Sequence, residues 1–201
     1  MGMETIVLAT GNAHKVEEFN QLFTTSAATI VSAKAYGGMP AVEETGRTFQ
    51  ANAYLKAAAL SQKLKKSHWV LSDDSGLEVD FLKGAPGVFS ARYAGAQASD
   101  EENVEKLIDA LKGLPKRQRR ARFRCVLCLI DCHRGLYYFE GACEGHVQLK
   151  PKGASGFGYD PIFVPKGYQQ SFAQLGEAVK AELSHRAEAV RALSNFLKKQ
   201  F

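Results

Sequence analysis

Strand-like and helix-like segments alternate along this chain, and the alternation limits it to few architectures. TIVLAT opens as an apolar strand, and VEEFNQLF follows with Val16, Phe19 and Leu22 on one helical face. Asn12 and Lys15 therefore fall at a strand-to-helix turn. A loop containing Gly37, Gly38 and Pro40 precedes a long helix predicted from about Thr48 to Lys66, on which Asn52 and Lys56 share a face. WVLSDD reads as a short strand ending at paired acids, and GLEVDFL resumes strand-like alternation. LKGAPGVFSARYAG, rich in Gly and Pro, predicts an ordered loop. Asp100 is the expected cap of the helix EENVEKLIDALKG, whose apolar side carries Val104, Leu107, Ile108 and Leu111.

Two paired strands are expected next, ARFRCVLCLID and LYYFEGACEGHV, joined by a turn at His133 to Gly135. PKGASGFGYDPIF predicts a loop that brings Phe157, Tyr159 and Phe163 to a pocket. HRAEAVRALSNFLKKQ predicts a final helix with Ala187, Val190, Leu193 and Leu197 on its apolar side. Ser184 is its expected N-cap, with His185 and Arg186 in its first turn. Interleaved helices and strands, without an internal repeat or linker, predict one α/β domain over residues 1–201.

At 201 residues with 45% apolar content, the chain supports one large domain or two small lobes sharing a core. The formal net charge of +5 favours anionic ligands, a requirement that free nucleotides, nucleic acid and ordinary basic solubility all meet. METIVLAT places an acid where a signal peptide needs a base, Gly2 is followed by Ile6 where myristoylation needs Ser or Thr, and no segment approaches a membrane span. A soluble cytoplasmic protein is expected. Cys125, Cys128, Cys132 and Cys143 lie close together, but residues three apart on a strand face opposite ways, so free thiols are expected rather than a metal site or a disulfide.

Several segments concentrate groups suited to phosphoryl chemistry, which needs negative charge neutralised and a water aimed at phosphorus. TGNAHK lacks the Walker A spacing yet exposes N–H groups at a helix start, with Thr10, Asn12 and Lys15 adding donors; a capped helix with a surface lysine reads the same way. Asp73 and Asp74 are neighbours whose side chains diverge, so only one need reach a metal, and a solvated strand end is the plainer alternative. Ser184, His185 and Arg186 make an anion or carbonyl site, or else a boundary histidine and an ion-pair partner for Glu182 or Glu188. Arg117, Arg119, Arg120, Arg122 and Arg124 suit nucleic acid, although without interleaved aromatics a solvated edge is the commoner outcome.

Together VLATGNAHK, EETGRTFQANAYLKA, SDDSGLEVDFLKGAPGVFSARYAG, ARFRCVL, GFGYDPIF and SHRAEAVRAL resemble the noncanonical purine NTP pyrophosphatases, the inosine triphosphate pyrophosphatase or HAM1-like family, over nearly the whole chain. The resemblance implies a homodimer with an elongated mixed central sheet flanked by helices, and two lobes with the active cleft between them. It implies hydrolysis of ITP, dITP, XTP and dXTP to the monophosphate and pyrophosphate, with Mg2+ as cofactor. On this resemblance Thr10, Gly11, Asn12, Ala13, His14, Lys15 and Lys56 contact phosphates, Glu43 and Asp74 hold the metal, and Asp74 is the catalytic aspartate. Ser75 contacts substrate, while Phe157, Gly158, Tyr159, Asp160, Lys180, His185 and Arg186 serve the base.

Asp74 would orient or deprotonate the attacking water, as a modest base given the low intrinsic pKa of an aspartate. Phe157 would stack on the purine while Lys180, His185 and Arg186 read its edge. Relatives carry Glu where Ala51 stands, and often Gly or Lys where His14 stands. The rival readings are a nucleotide pyrophosphatase of broader scope and a nucleotide- or RNA-binding protein without turnover. No membrane partner and no stable nucleic-acid partner is expected.

Overall fold

An apolar run with no polar alternation belongs to a strand covered on both faces, and β1 (Glu4–Ala9) is such a strand, with Ile6 to Ala9 fully buried. The computed structural model describes residues 4–23, 28–65 and 67–200; Gly2 and the expected helix end at Lys66 lie outside the described residues. β1 pairs in parallel with β2 (Ala28–Ser32) on one side and with β3 (Trp69–Val79) on the other. β4 (Arg120–Ile130), β5 (Leu136–Val147) and β6 (Phe163–Pro165) complete a six-stranded sheet of order β2-β1-β3-β4-β5-β6. β6 runs antiparallel to β5, with Val147 opposite Phe163, so the sheet is mixed and the fold is α/β as the interleaving predicts. The helices are α1 (Ala13–Leu22), α2 (Phe49–Lys63), α3 (Asp100–Leu111), α4 (Phe172–Leu183) and α5 (His185–Gln200).

The chain forms two compact units. The first comprises Met1–Asp74, Cys125–Gly141 and Glu188–Phe201; the second comprises Ser75–Arg124 and Ala142–Ala187. In the first, the period of two along the strands sorts side chains into two cores. Ile6, Leu8, Leu71, Leu127 and Leu129 pack with Phe19 of α1 and Leu193 and Leu197 of α5. Val7, Ala9, Val70 and Cys128 pack with Ala53, Ala57 and Leu60 of α2. The second unit has its own core, in which Leu77, Val79 and Val147 meet Leu107 and Leu111 of α3, and Phe123 lies edge-on to Phe163 at 4.7 Å.

Two sequence expectations change, and two elements were not expected. The paired acids do not end a strand: β3 runs unbroken for 11 residues through Asp73, Asp74 and Gly76, and it stays buried as far as Leu77 and Val79. Ser99, not Asp100, caps α3, in a capping box where Glu102 N donates to Ser99 Oγ at 3.2 Å and Ser99 N donates to Glu102 Oε2 at 2.7 Å. The loop expected at PKGASGFGYDPIF is found, and only its last residue, Phe163, enters the short strand β6. α4 was not anticipated, since Gly176 at φ +80° interrupts its helical period. β2, five residues at the sheet edge and mostly half-buried, was also missed.

All four cysteines are free thiols, and Cys125 and Cys128 fall in different cores, as their spacing on a strand requires. Among the described residues no helix is long and apolar enough to cross a membrane. The arginine row of β4 is met by acids: Arg122 pairs with Asp80 at 2.9 Å, Glu144 at 2.9 Å and Glu78 at 3.7 Å, and Arg120 with Asp80 at 3.5 Å. Arg119 turns to the backbone carbonyls of Leu114 and Val147. A solvated, acid-paired strand face accounts for Arg120 and Arg122, and backbone capping accounts for Arg119.

Candidate active site

The register of the parallel strands sets Ala9 opposite Ser72, so the turn after β1 and the acids of β3 lie beyond the same paired rung. α/β sheets characteristically bind ligands beyond the carboxyl ends of such strands. In that turn Asn12 N donates to Thr10 Oγ1 at 3.1 Å, and Lys15 N donates to Asn12 Oδ1 at 3.2 Å, which makes Asn12 the N-cap of α1. Gly11, Asn12, Ala13 and His14 are exposed. No atom stands within 4 Å of where a Cβ on Gly11 would be, so the turn is open to an incoming group. His14 faces Glu17 at 3.9 Å on the helix exterior.

Lys15 is half-buried and its Nζ pairs with Asp73 Oδ1. Successive residues of a strand face opposite sides, so Asp74 turns toward α2, where Lys56 Nζ donates to Asp74 Oδ1 at 2.6 Å. Ser72, two residues back, also faces α2, and its Oγ donates to Ala53 O at 2.5 Å. The two acids therefore diverge as the sequence reading expected, each toward its own lysine.

Asp74 Oδ2 is buried with no hydrogen-bond partner among the described residues. Burial pushes the Asp74 carboxyl up to about 6; the Lys56 and Lys15 charges pull against that shift and Glu44 reinforces it. Burial alone would lower Lys56, but the charges of Asp74, Glu44 and Asp73 carry it upward, so it stays protonated.

Glu43, the carboxylate assigned to the metal by resemblance, is exposed, and the acid brought to Lys56 is its neighbour Glu44, at 3.4 Å. Asn52 of α2 fixes this segment: its Oδ1 accepts from Gly46 N at 2.8 Å, while its Nδ2 is buried with no partner among the described residues. Among the described residues no three His, Cys, Asp or Glu side chains form a ready metal cage. The donor set nevertheless fits Mg2+, which takes one or two carboxylates and completes its shell with substrate phosphate and water. An open, buried carboxylate oxygen on Asp74 is what such an ion needs.

In the second unit, Lys180 Nζ donates to Asp160 Oδ2 at 2.6 Å and lies 4.6 Å from the centre of the Phe157 ring. The same Asp160 oxygen accepts from Phe157 N at 3.0 Å, so one buried carboxylate ties the lysine to the aromatic loop. Gly158 N donates to Asp100 Oδ2 at 2.7 Å, which explains why Asp100 is not the cap of α3. Tyr159 points into the core and donates to Ser90 O at 2.9 Å, and burial raises its phenol far above the usual value. Its role is to anchor the loop.

Ser184 Oγ accepts from Ala187 N at 3.1 Å and caps α5 as expected. His185 stacks on Phe123 with ring centres 4.8 Å apart and planes 11° from parallel. Arg186, only 1% exposed, donates to Ser75 Oγ at 2.9 Å, the bond that joins two expected substrate contacts.

Phosphate-suited residues are thus grouped in the first unit and base-suited residues in the second. Sequence reasoning assigned no site role to Asn52, Asp100 or Cys125, and it gave the metal to Glu43 rather than to its neighbour Glu44, the acid that reaches Lys56. A spacing of four from Asn52 to Lys56 was the one available hint.

The sequence profile of the Ham1 family matches residues 6–196. The chain belongs to the Ham1 family. Among similar Ham1 proteins, a dITP/XTP pyrophosphatase of Opitutus terrae is 50% identical over 195 residues, covering 94% of this chain and 96% of that protein. One of Bacillus subtilis is 43% identical, covering 97% and 98%. A solved Ham1 structure from Coxiella burnetii superposes with a TM-score of 0.88 at 37% identity, covering 98% of this chain and all of the other (100%). The Ham1 protein of Staphylococcus aureus gives 0.86 at 38% identity, with the same coverage.

Proposed function

We propose that this chain hydrolyses deaminated purine nucleoside triphosphates, ITP, dITP, XTP and dXTP, to the monophosphate and pyrophosphate, and so cleanses the nucleotide pool. The observation that carries the reading is Asp74. It is buried, has one oxygen on Lys56 and the other open, and its carboxyl is pushed up to about 6. A carboxylate raised by burial is a better-matched general base than an ordinary aspartate. Full-length relatedness to dITP/XTP pyrophosphatases supports the substrate class.

In this reading Asp74 accepts a proton from a water aimed at the α-phosphorus, and Lys56 keeps the carboxylate oriented. Lys15 and the turn from Thr10 to His14 hold phosphate oxygens. Asp74, with the acidic segment Glu43 and Glu44, would hold Mg2+, which supplies charge neutralisation at the phosphates when bound. Phe157 stacks on the purine in this reading, as the family resemblance implies, and Lys180 is engaged by Asp160. His185, Arg186 and Ser75 complete the nucleoside contacts. The enzyme works as a homodimer in this proposal, on the strength of the family resemblance.

Pyrophosphate release from ITP, XTP, GTP and ATP, with and without Mg2+ and with Asp74→Asn as control, tests the reading. Mg2+-dependent turnover of ITP and XTP that collapses in the variant is expected. Equal use of all four nucleotides would indicate a broad pyrophosphatase. No turnover of any would sink the proposal.

A further inference from the structure

Asp73 is the acid of the pair that the proposed reaction leaves without a task. It is 1% exposed, yet it is a carboxylate, and burying one is costly unless donors surround it. Its two oxygens go to different residues: Oδ1 to Lys15 Nζ, and Oδ2 to the thiol of Cys125, which donates at 3.1 Å. Cys125 is itself fully buried on β4, on the core face shared by Leu127 and Leu129. The Lys15 ammonium also lies within 3.5 Å of the Asp73 carbonyl oxygen. A lysine side chain has four rotatable bonds, and here its head group is held from two directions by one residue of the strand.

We infer that Asp73 and Cys125 are positioning residues for Lys15, the phosphate-binding lysine of the proposed reaction, on which this inference rests. The thiol fixes the carboxylate, and the carboxylate fixes the ammonium at the mouth of the Thr10 to Lys15 turn before substrate arrives. Holding the ammonium in place lowers the ordering entropy lost when phosphate binds. The thiol has a second effect. It takes part of the hydrogen-bonding demand of Asp73, so the carboxylate does not draw all of the Lys15 donors to itself. A Lys⁺ with three N–H donors can then serve Asp73 and a phosphate oxygen together.

The test compares wild type with Cys125→Val, Cys125→Ser and Asp73→Asn. Valine removes the donor at a somewhat larger, apolar volume, whereas serine keeps a donor at a somewhat smaller one. The readouts are KM and kcat for ITP, the dissociation constant of pyrophosphate by calorimetry, and the melting temperature. Cys125→Val and Asp73→Asn are expected to weaken pyrophosphate and to raise KM, each by roughly tenfold, with kcat changed by less than about threefold. Cys125→Ser is expected to restore most of that loss.

Wild-type pyrophosphate affinity in Cys125→Val, equal impairment of the serine and valine variants, or a lowered melting temperature with unchanged KM would each overturn the inference. If wild type does not hydrolyse ITP, the nucleotide reading fails separately. The pyrophosphate titration still decides whether Cys125 positions an anion-binding lysine.

Discussion

Asp73 and Asp74 are consecutive in β3 and face different lysines, the first Lys15 and the second Lys56 at 2.6 Å. The pleat of a strand produces this division without a turn or a bulge. It gives two adjacent acids separate environments, with a thiol beside Asp73 and an open oxygen on Asp74.

Asp74 is held against its own preference. Its folded carboxyl is raised from 3.8 to about 6 by burial, so its contribution to stability is complete below pH 4 and is lost as pH rises through about 6. Asp74→Asn is therefore expected to stabilise the metal-free protein at pH 7.5 by about 1–3 kcal/mol, a few degrees in melting temperature, and to match wild type below pH 4. Turnover should fall by about a thousandfold or more. Thermal melts in chelator at both pH values, beside an activity assay, check both halves.

Lys56→Met removes the charge that most opposes the burial of Asp74. The Asp74 carboxyl should rise above its present value, moving the acidic limb of the kcat/KM profile to higher pH. Activity at pH 7 is expected to fall by roughly a hundredfold, and an unmoved acidic limb would argue that Asp74 is not the titrating base.

Asp160 binds Lys180 and the backbone of Phe157 through one oxygen. Asp160→Ala takes the carboxylate away from a buried ammonium and should cost about 3–5 kcal/mol in urea unfolding. The gentler Asp160→Asn should raise KM for ITP by roughly tenfold while leaving pyrophosphate affinity as in wild type, because it loosens the base loop alone.

A methyl on Gly46 would stand 2.5 Å from Asn52 Oδ1 and 2.9 Å from the Asn52 backbone nitrogen. Gly46→Ala is expected to destabilise by about 1–3 kcal/mol and to displace the acidic segment that precedes it. Weaker Mg2+ activation together with a lowered melting temperature would be the paired signature.

The sequence made the α/β class and most of the long elements legible, because burial imposes periods of two and 3.6 that survive in the residue pattern. The start of α2 near Thr48 and Ser184 as cap of α5 were readable because cap chemistry is local to the chain. What stayed hidden depended on partners distant in the chain. Cys125 meets Asp73 across 52 positions, and Gly158 meets Asp100 across 58. Glu43 and Glu44 are chemically identical neighbours, and only the placement of Lys56 shows which of them reaches it. The raised Asp74 carboxyl was equally invisible, since burial around a polar strand position comes from α2 rather than from its own neighbours.

Asn12 gives α1 a lid of its own making, with its oxygen already on the N–H of Lys15. A phosphate that seeks that N–H must evict the asparagine first, so at this helix end binding is a replacement rather than a gain. The empty helix stays wound, the filled one is little more stable, and what distinguishes a phosphate from water there is the ammonium of Lys15.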